Sequence, residues 1–261
     1  MLFANTTKGV TRKNKKTHIG SNMLKSLKNK CCLITGSSRG IGLAFAKELQ
    51  KYNVKLIILS SSQKNLNKAK SELNCEVETV AFDLSKTAKI PDLCLKLQDT
   101  YPEIDTLILN AGISLNKEFV NTNFKERQRE FNINYFAPQL IIEHYLPVFK
   151  QKKQKSYILS VGSLTAMVPF PGNASYSATK AAQYAFLRSL RLELKKEYPQ
   201  IYVGNILPGA TNTEMMHAIS PNISGMSPQM VAKKGIELMQ KNEFSVIPGV
   251  SNQCVSTVSR L

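Results

Sequence analysis

The chain has 261 residues, is 43% hydrophobic, and carries 35 Lys and Arg against 18 Asp and Glu, a formal net charge of +17. That apolar content is ample for the core of one α/β domain, and it excludes a disordered or fibrous class; no apolar run reaches the roughly 18 residues a spanning helix needs. The charge would point to nucleic acid if it covered the domain, but eight of the basic residues (Lys8, Arg12, Lys13, Lys15, Lys16, Lys25, Lys28 and Lys30) fall in the first thirty positions, where no Asp or Glu occurs, so a nucleic-acid partner is not expected. Residues 1–22 read as a basic, disordered leader. It lacks the apolar run of a signal peptide, which argues against secretion and for the cytoplasm; its acid-free composition leaves a targeting segment open, and an upstream over-extension with Met23 as the working start is the alternative. Five cysteines (Cys31, Cys32, Cys75, Cys94 and Cys254) without ligand spacing and three scattered histidines argue against a disulfide framework and predict no metal site.

From Lys30 onward the pattern is regular. An apolar strand at Cys31–Thr35 leads through GSSRGIG into the helical pattern LAFAKELQKY and then a second apolar run, Val54–Leu59. Strand, glycine turn, helix and strand make a βαβ unit with a right-handed crossover. The alternation continues with a helix near Gln63–Glu72, a strand at Val77–Ala81 ending in Asp83-Leu84, a helix at Ile90–Thr100 and a strand at Thr106–Leu109 running into Asn110-Ala111-Gly112. A long helix follows from about Phe124 to Phe149, then a strand at Tyr157–Leu159, a helix to about Tyr198, a strand at Tyr202–Leu207, a helix at Pro228–Gln240 and a last strand at Phe244–Ile247. This predicts one doubly wound α/β domain with a parallel sheet, the Rossmann fold, over residues 23–261.

In such sheets ligands bind beyond the carboxyl ends of the strands. Gly36, Gly40 and Gly42, spaced G-x-x-x-G-x-G between strand and helix, allow a tight turn and let backbone amides approach a pyrophosphate at a helix N-terminus. With Ser38, Arg39 and Ile41 they are the candidate cofactor contacts of the first turn. The second strand ends in Leu59-Ser60-Ser61-Ser62-Gln63-Lys64 with no acid. A carboxylate there would repel a 2'-phosphate, whereas Ser61, Lys64 and Arg39 would accept it, so NADP is expected in preference to NAD.

The stretch SLTAMVPFPGNASYSATK brings a hydroxyl at Ser163, a phenol at Tyr176 and an amine at Lys180. Tyr176 and Lys180 are one helical turn apart and share a face. A free phenol titrates near ~10, so proton transfer at neutral pH asks for about three pH units, roughly 4 kcal/mol. The neighbouring cation is expected to lower Tyr176 by favouring the phenolate. Ser163 would hold a carbonyl or alcohol oxygen, giving a proton-transfer site without metal or covalent nucleophile.

These ordered motifs resemble the short-chain dehydrogenase/reductase family over about residues 28–250. TGSSRGIG looks like its cofactor turn, Asp83 and Leu84 like the pair that contacts adenine, and Asn110, Ala111 and Gly112 like its N-A-G element, with Leu109 where many members have Asn. Asn134, in preference to neighbouring Asn132, matches the catalytic asparagine of the long helix. Ser163, Tyr176 and Lys180 match the catalytic serine and Y-x-x-x-K, and Pro208, Gly209 and Thr213 the segment that holds the nicotinamide carboxamide. The resemblance implies hydride transfer between NADPH and a small-molecule carbonyl or alcohol: Ser163 binds the oxygen, Tyr176 donates the proton, Lys180 binds the nicotinamide ribose and tunes Tyr176, and Asn134 holds a relay water. It also implies a homodimer or homotetramer packed through the helices of Asn134 and Tyr176, with Ala182, Phe186 and Leu190 available for burial there.

Residues 212–226, with Met215, Met216, Ile219, Ile223 and Met226, read as a flexible apolar lid or as ordinary packing, and a lid of that kind suits an apolar substrate. Residues 250–261 place Val250, Cys254, Val255, Val258 and Leu261 at helical spacing, an amphipathic tail that packs on the domain or a partner or makes a weak membrane-surface contact. The alternative to an enzyme is a non-catalytic nucleotide-sensing or nucleic-acid-binding protein that uses the basic surface.

Overall fold

The computed structural model describes residues 27–249 apart from 220, 221 and 223. The leader at 1–22, the start at Met23 and the tail at 250–261 therefore lie outside the described residues, as does Ile223 of the lid segment. Seven strands form one parallel sheet: β1 (Cys31–Thr35), β2 (Lys55–Ser60), β3 (Val77–Ala81), β4 (Ile104–Leu109), β5 (Ser156–Val161), β6 (Ile201–Ile206) and β7 (Ser245–Val246), in the order β3-β2-β1-β4-β5-β6-β7. Every residue of β1, β4, β5 and β6 is buried, as expected of strands covered by helices on both faces.

The helices are α1 (Gly40–Leu49), α2 (Gln63–Ser71), α3 (Ile90–Thr100), α4 (Phe124–Phe131), α5 (Ala137–Gln151), α6 (Ala174–Glu197), α7 (Glu214–Ile219) and α8 (Pro228–Lys241). Their ends follow local chemistry. Ser62 and Ser227 accept the backbone N–H groups of Asn65 and Met230, and Asn123 and Glu126 form a reciprocal capping box at α4. Asn242 ends α8 in the left-handed region, φ 54°. One apolar core joins Phe45, Leu49, Leu66, Val231 and Ile236 beneath one face of the sheet, and a second joins Ile90, Leu97, Ile141, Tyr145, Phe149 and Leu187 beneath the other.

The long helix expected at 124–149 is interrupted. Pro138 has no N–H to give the carbonyl of Asn134, and residues Asn132–Phe136 form a π turn in which the Ala137 N–H reaches Asn132 O. The segment read as a lid contains α7, a helix the sequence reading did not anticipate. Of the residues offered for a partner interface, Leu190 is buried in the chain's own core and Phe186 packs partly against it; exposed apolar side chains instead include Phe136 and Leu192. No helix among the described residues is long and apolar enough to cross a membrane.

The sheet order reverses direction between β1 and β4, which opens a crevice beyond the strand ends. That is where the chemistry-bearing residues gather.

Candidate active site

The floor of the crevice is the turn between β1 and α1. Gly36 has φ +64° and Gly40 φ +57°, conformations that disfavour a side chain, and a Cβ on Gly36 would sit 2.8 Å from Ala111 Cα. Thr35 and Asn110 pin this turn to the end of β4. Thr35 Oγ1 accepts the N–H groups of Asn110 and Ala111, each at 3.0 Å, while Asn110 Nδ2 donates to the carbonyls of Thr35 and Gly36. Ser37 Oγ donates to Ile34 O at 2.8 Å and accepts the Leu59 N–H at 3.0 Å, tying the turn to β2. Thr35 and Ser37 act through the turn rather than on a ligand, and their position at the end of a buried strand and just after it was the signal for them.

The turn feeds a cleft of about 660 Å³. On the first side it is lined by Gly36, Ser38, Arg39, Gly40, Ile41, Ser61, Asp83 and Leu84, in the middle by Asn110, Ala111 and Gly112, and on the far side by Ser163, Tyr176, Lys180, Pro208, Gly209 and Thr213. Two expected site residues stand behind the wall. Gly42 is buried under the turn, where a Cβ would collide with Gly36 O. Asn134 is fully buried; its side chain accepts the Ile113 N–H at 2.9 Å and donates to Ile113 O at 2.9 Å and to Thr179 Oγ1 at 3.1 Å.

Lys64 is exposed and does not line the cleft, because α2 begins at Gln63 and carries it away. Ser60, Ser62 and Asn65 line it instead. Arg39 lies at the rim, paired with Glu214 of α7 at 2.7 Å.

The residues suit a dinucleotide. The amides at the start of α1 have no side-chain cap from Arg39 and no acid in the first turn, which leaves a helix N-terminus open to an anion beside a glycine cradle. Among the described residues no cluster of His, Cys, Asp and Glu could hold a metal. Burial pushes the Asp83 carboxyl up, but hydrogen bonds from Ser85 and the charges of Arg129 and Lys86 outweigh it and hold the group below its usual range, so it stays an anionic acceptor.

On the far side, Ser163 leaves β5 and caps a short 3-10 turn by accepting the Thr165 N–H at 3.2 Å. Tyr176 and Lys180 sit on the first turns of α6, and the Lys180 ammonium donates to Val161 O at 2.9 Å, with its nitrogen 5.7 Å from the Tyr176 ring centre. The expected electrostatics are corrected here. Burial pushes Tyr176 up to about 12, a hydrogen bond with Ser163 opposes it and the Glu130 carboxylate adds to it. Lys180 has no part in that balance, and burial draws its own value down to about 8 against the opposing pull of Glu130. Two groups taken out of water each disfavour their charged form, and that burial outweighs the nearby polar and charged groups.

The model of the short chain dehydrogenase family matches residues 30–224. The chain is similar to a ketoacyl reductase, HetN, of Nostoc, 29% identical over 230 residues that cover 85% of this chain and 79% of that protein. It is also similar to the uncharacterized oxidoreductase YvaG of Bacillus subtilis, 30% identical over 75% of each chain. Among solved structures, a 3-ketoacyl-(acyl-carrier-protein) reductase from Brucella melitensis complexed with NADH superposes with a TM-score of 0.78 at 26% identity, over 87% of this chain and all of that one. A short-chain dehydrogenase from Sphingobium yanoikuyae in complex with NADPH gives a TM-score of 0.77 at 25% identity, over 88% and 93% of the two chains.

Proposed function

The chain belongs to the short-chain dehydrogenase family, and from that premise we propose that it is an NADP-dependent reductase of an apolar ketone, aldehyde or acyl carbonyl. The observation that carries the reading is the convergence of Ser163, Tyr176 and Lys180 on the cleft that the glycine turn opens. Bound across the strand ends, a nicotinamide cofactor would supply the hydride. The chain's own residues do the rest: α1's first amides and the glycine turn hold the pyrophosphate, Asp83 and Leu84 the adenine side, and Lys180 the nicotinamide ribose. Pro208, Gly209 and Thr213 take the carboxamide side.

Ser163 orients the substrate oxygen and Tyr176, protonated at neutral pH, donates to it as negative charge develops. The value of about 12 suits a donor in the reducing direction. Asn134 serves the site by fixing the backbone of Ile113 against α6; its main-chain carbonyl, freed from regular helix pairing by Pro138, is the place for a relay water.

The absence of an acid at Ser60-Ser61-Ser62 and the presence of Arg39 at the rim favour NADP over NAD. Val168, Phe170, Met215 and Met216 line the substrate end of the cleft, which favours an apolar substrate. A cytoplasmic homodimer or homotetramer completes the reading. A panel of carbonyls assayed by NADPH absorbance tests it, with Tyr176→Phe as control. Turnover that disappears in the variant while NADPH binding persists is the expected result; undiminished turnover removes Tyr176 from the mechanism.

A further inference from the structure

Two opposite charges are buried near Tyr176. Glu130 on α4 is 0% exposed and Lys180 on α6 is 3% exposed, and neither is within ion-pair distance of an opposite charge among the described residues. Glu130 Oε1 accepts the Leu115 N–H at 2.9 Å. Its Oε2 is buried with no hydrogen-bond partner, as is Ser175 Oγ. Glu130, Ser175, Tyr176 and Asn173 line one small cavity of about 10 Å³, room for a single water. A carboxylate in such a place is costly unless its charge is compensated nearby. The sequence FKERQREF makes Glu130 look like one more solvated charge on a polar helix; the loop after Gly112 and the start of α6, packed against α4, enclose it.

Resting on the reductase reading, we infer that Glu130 is a positioning residue for the proton-transfer pair: its enclosed carboxylate favours the Lys180 ammonium and, together with burial, the neutral phenol of Tyr176, the state from which the proton is given. The other charges nearby are already engaged. Glu126 of α4 pairs with Lys117 of the loop at 2.8 Å, and Arg127 donates to Thr122 O at 2.8 Å. The charge of Arg129 acts on Asp83. The end of β5 and the π turn bring Ser163 and Asn134, which carry no charge. Glu130 is thus the charge that opposes the burial of Lys180, and it acts in the same sense on Tyr176.

The test reads Lys180 directly, by NMR of protein labelled at the lysine ε position, with the Lys180 signal assigned by its loss in Lys180→Met. Glu130→Gln keeps an oxygen for the Leu115 N–H and removes the charge. The Lys180 midpoint is expected to fall by at least about half a pH unit, because a nearby opposite charge favours the ionised form, and the alkaline limb of kcat/KM moves the same way. Glu130→Asp, which retains the charge, keeps the midpoint near the wild-type value. An unmoved midpoint in folded Glu130→Gln overturns the inference; so does an Asp variant whose midpoint falls, which remains decisive if the Gln variant does not fold. The titration needs no substrate, so lack of turnover with every carbonyl would sink the reductase reading and leave the lysine measurement intact.

Discussion

The guanidinium of Arg39, on the glycine turn, donates from Nη1 to Glu214 Oε2 at 2.7 Å, linking the cofactor side of the cleft to α7. Both side chains are about two-thirds exposed, at 64% and 68%, so the pair is worth no more than about 1 kcal/mol. A 2'-phosphate offers Arg39 a stronger, charge-assisted bond. Glu214→Gln is therefore expected to lower the KM for NADPH by up to about fivefold without changing that for NADH. Arg39→Ala should raise the NADPH value about tenfold or more. Steady-state kinetics with both cofactors check this, and equal effects on the two would remove Arg39 from 2'-phosphate recognition.

Gly42 carries a different burden from Gly36 and Gly40. Its φ is ordinary, yet a Cβ there would strike Gly36 O and lie 2.6 Å from Asn110 Nδ2 and 2.8 Å from Ser37 Cα. Gly36 O and Asn110 Nδ2 pin the turn to β4, and they cannot yield without moving it. Gly42→Ala is expected to cost about 1–3 kcal/mol, the range for overpacking, and to weaken NADPH binding at least tenfold. Urea unfolding and fluorescence titration measure the two effects, and an alanine variant with native cofactor affinity would show that the turn can shift freely.

Much of this arrangement was legible in the sequence because its signals are local. The strands Cys31–Thr35 and Val77–Ala81 and the helix Ile90–Thr100 keep the bounds their apolar periodicity predicts, and the residues expected at the strand ends, Gly42 apart, line one cleft. The failures depend on what lies across space. Lys64 looks close to Ser61 along the chain, but the first turn of α2 separates them. Nothing local singles out Glu130, whose neighbours Arg127, Gln128 and Arg129 are polar. The buried pair Lys30–Asp105, at 2.8 Å, joins residues 75 positions apart, and no periodicity could have announced it. The electrostatics of Tyr176 depart from what spacing predicts for the same reason, since spacing reveals a neighbouring cation and not the loss of water around both groups.

Asn134 is expected to matter first for stability. Its side chain makes three hydrogen bonds, two to the backbone of Ile113 and one to Thr179, and alanine would leave the Ile113 N–H and C=O without them. An orphaned buried polar group costs about 1–3 kcal/mol, so Asn134→Ala should lose roughly 3 kcal/mol in urea unfolding, with turnover falling as the end of β4 loosens. A variant as stable as the wild type would show that the clamp contributes nothing to the fold.

Lys180 is expected to stand on the opposite side of the balance between stability and function. Its value falls from the ordinary 10.5 to about 8 in the folded chain, so between those limits the unfolded chain binds more protons than the folded one, and stability rises with pH. Below about 8 the cost of holding the buried ammonium is fully present, about 3 kcal/mol. Above 10 the trend reverses, because Tyr176, raised from 10 to about 12, ionises first in the unfolded chain. Lys180→Met fills similar space without the charge. At pH 7 it should be more stable than the wild type by roughly 1–3 kcal/mol, the loss of the bond to Val161 O taking back part of the gain, and it should be inactive. The advantage should narrow between pH 8 and pH 10. Denaturant unfolding of both proteins across that range decides the matter: a methionine variant that is less stable at pH 7, or whose difference from the wild type does not vary with pH, would mean that the ammonium is not held at a cost.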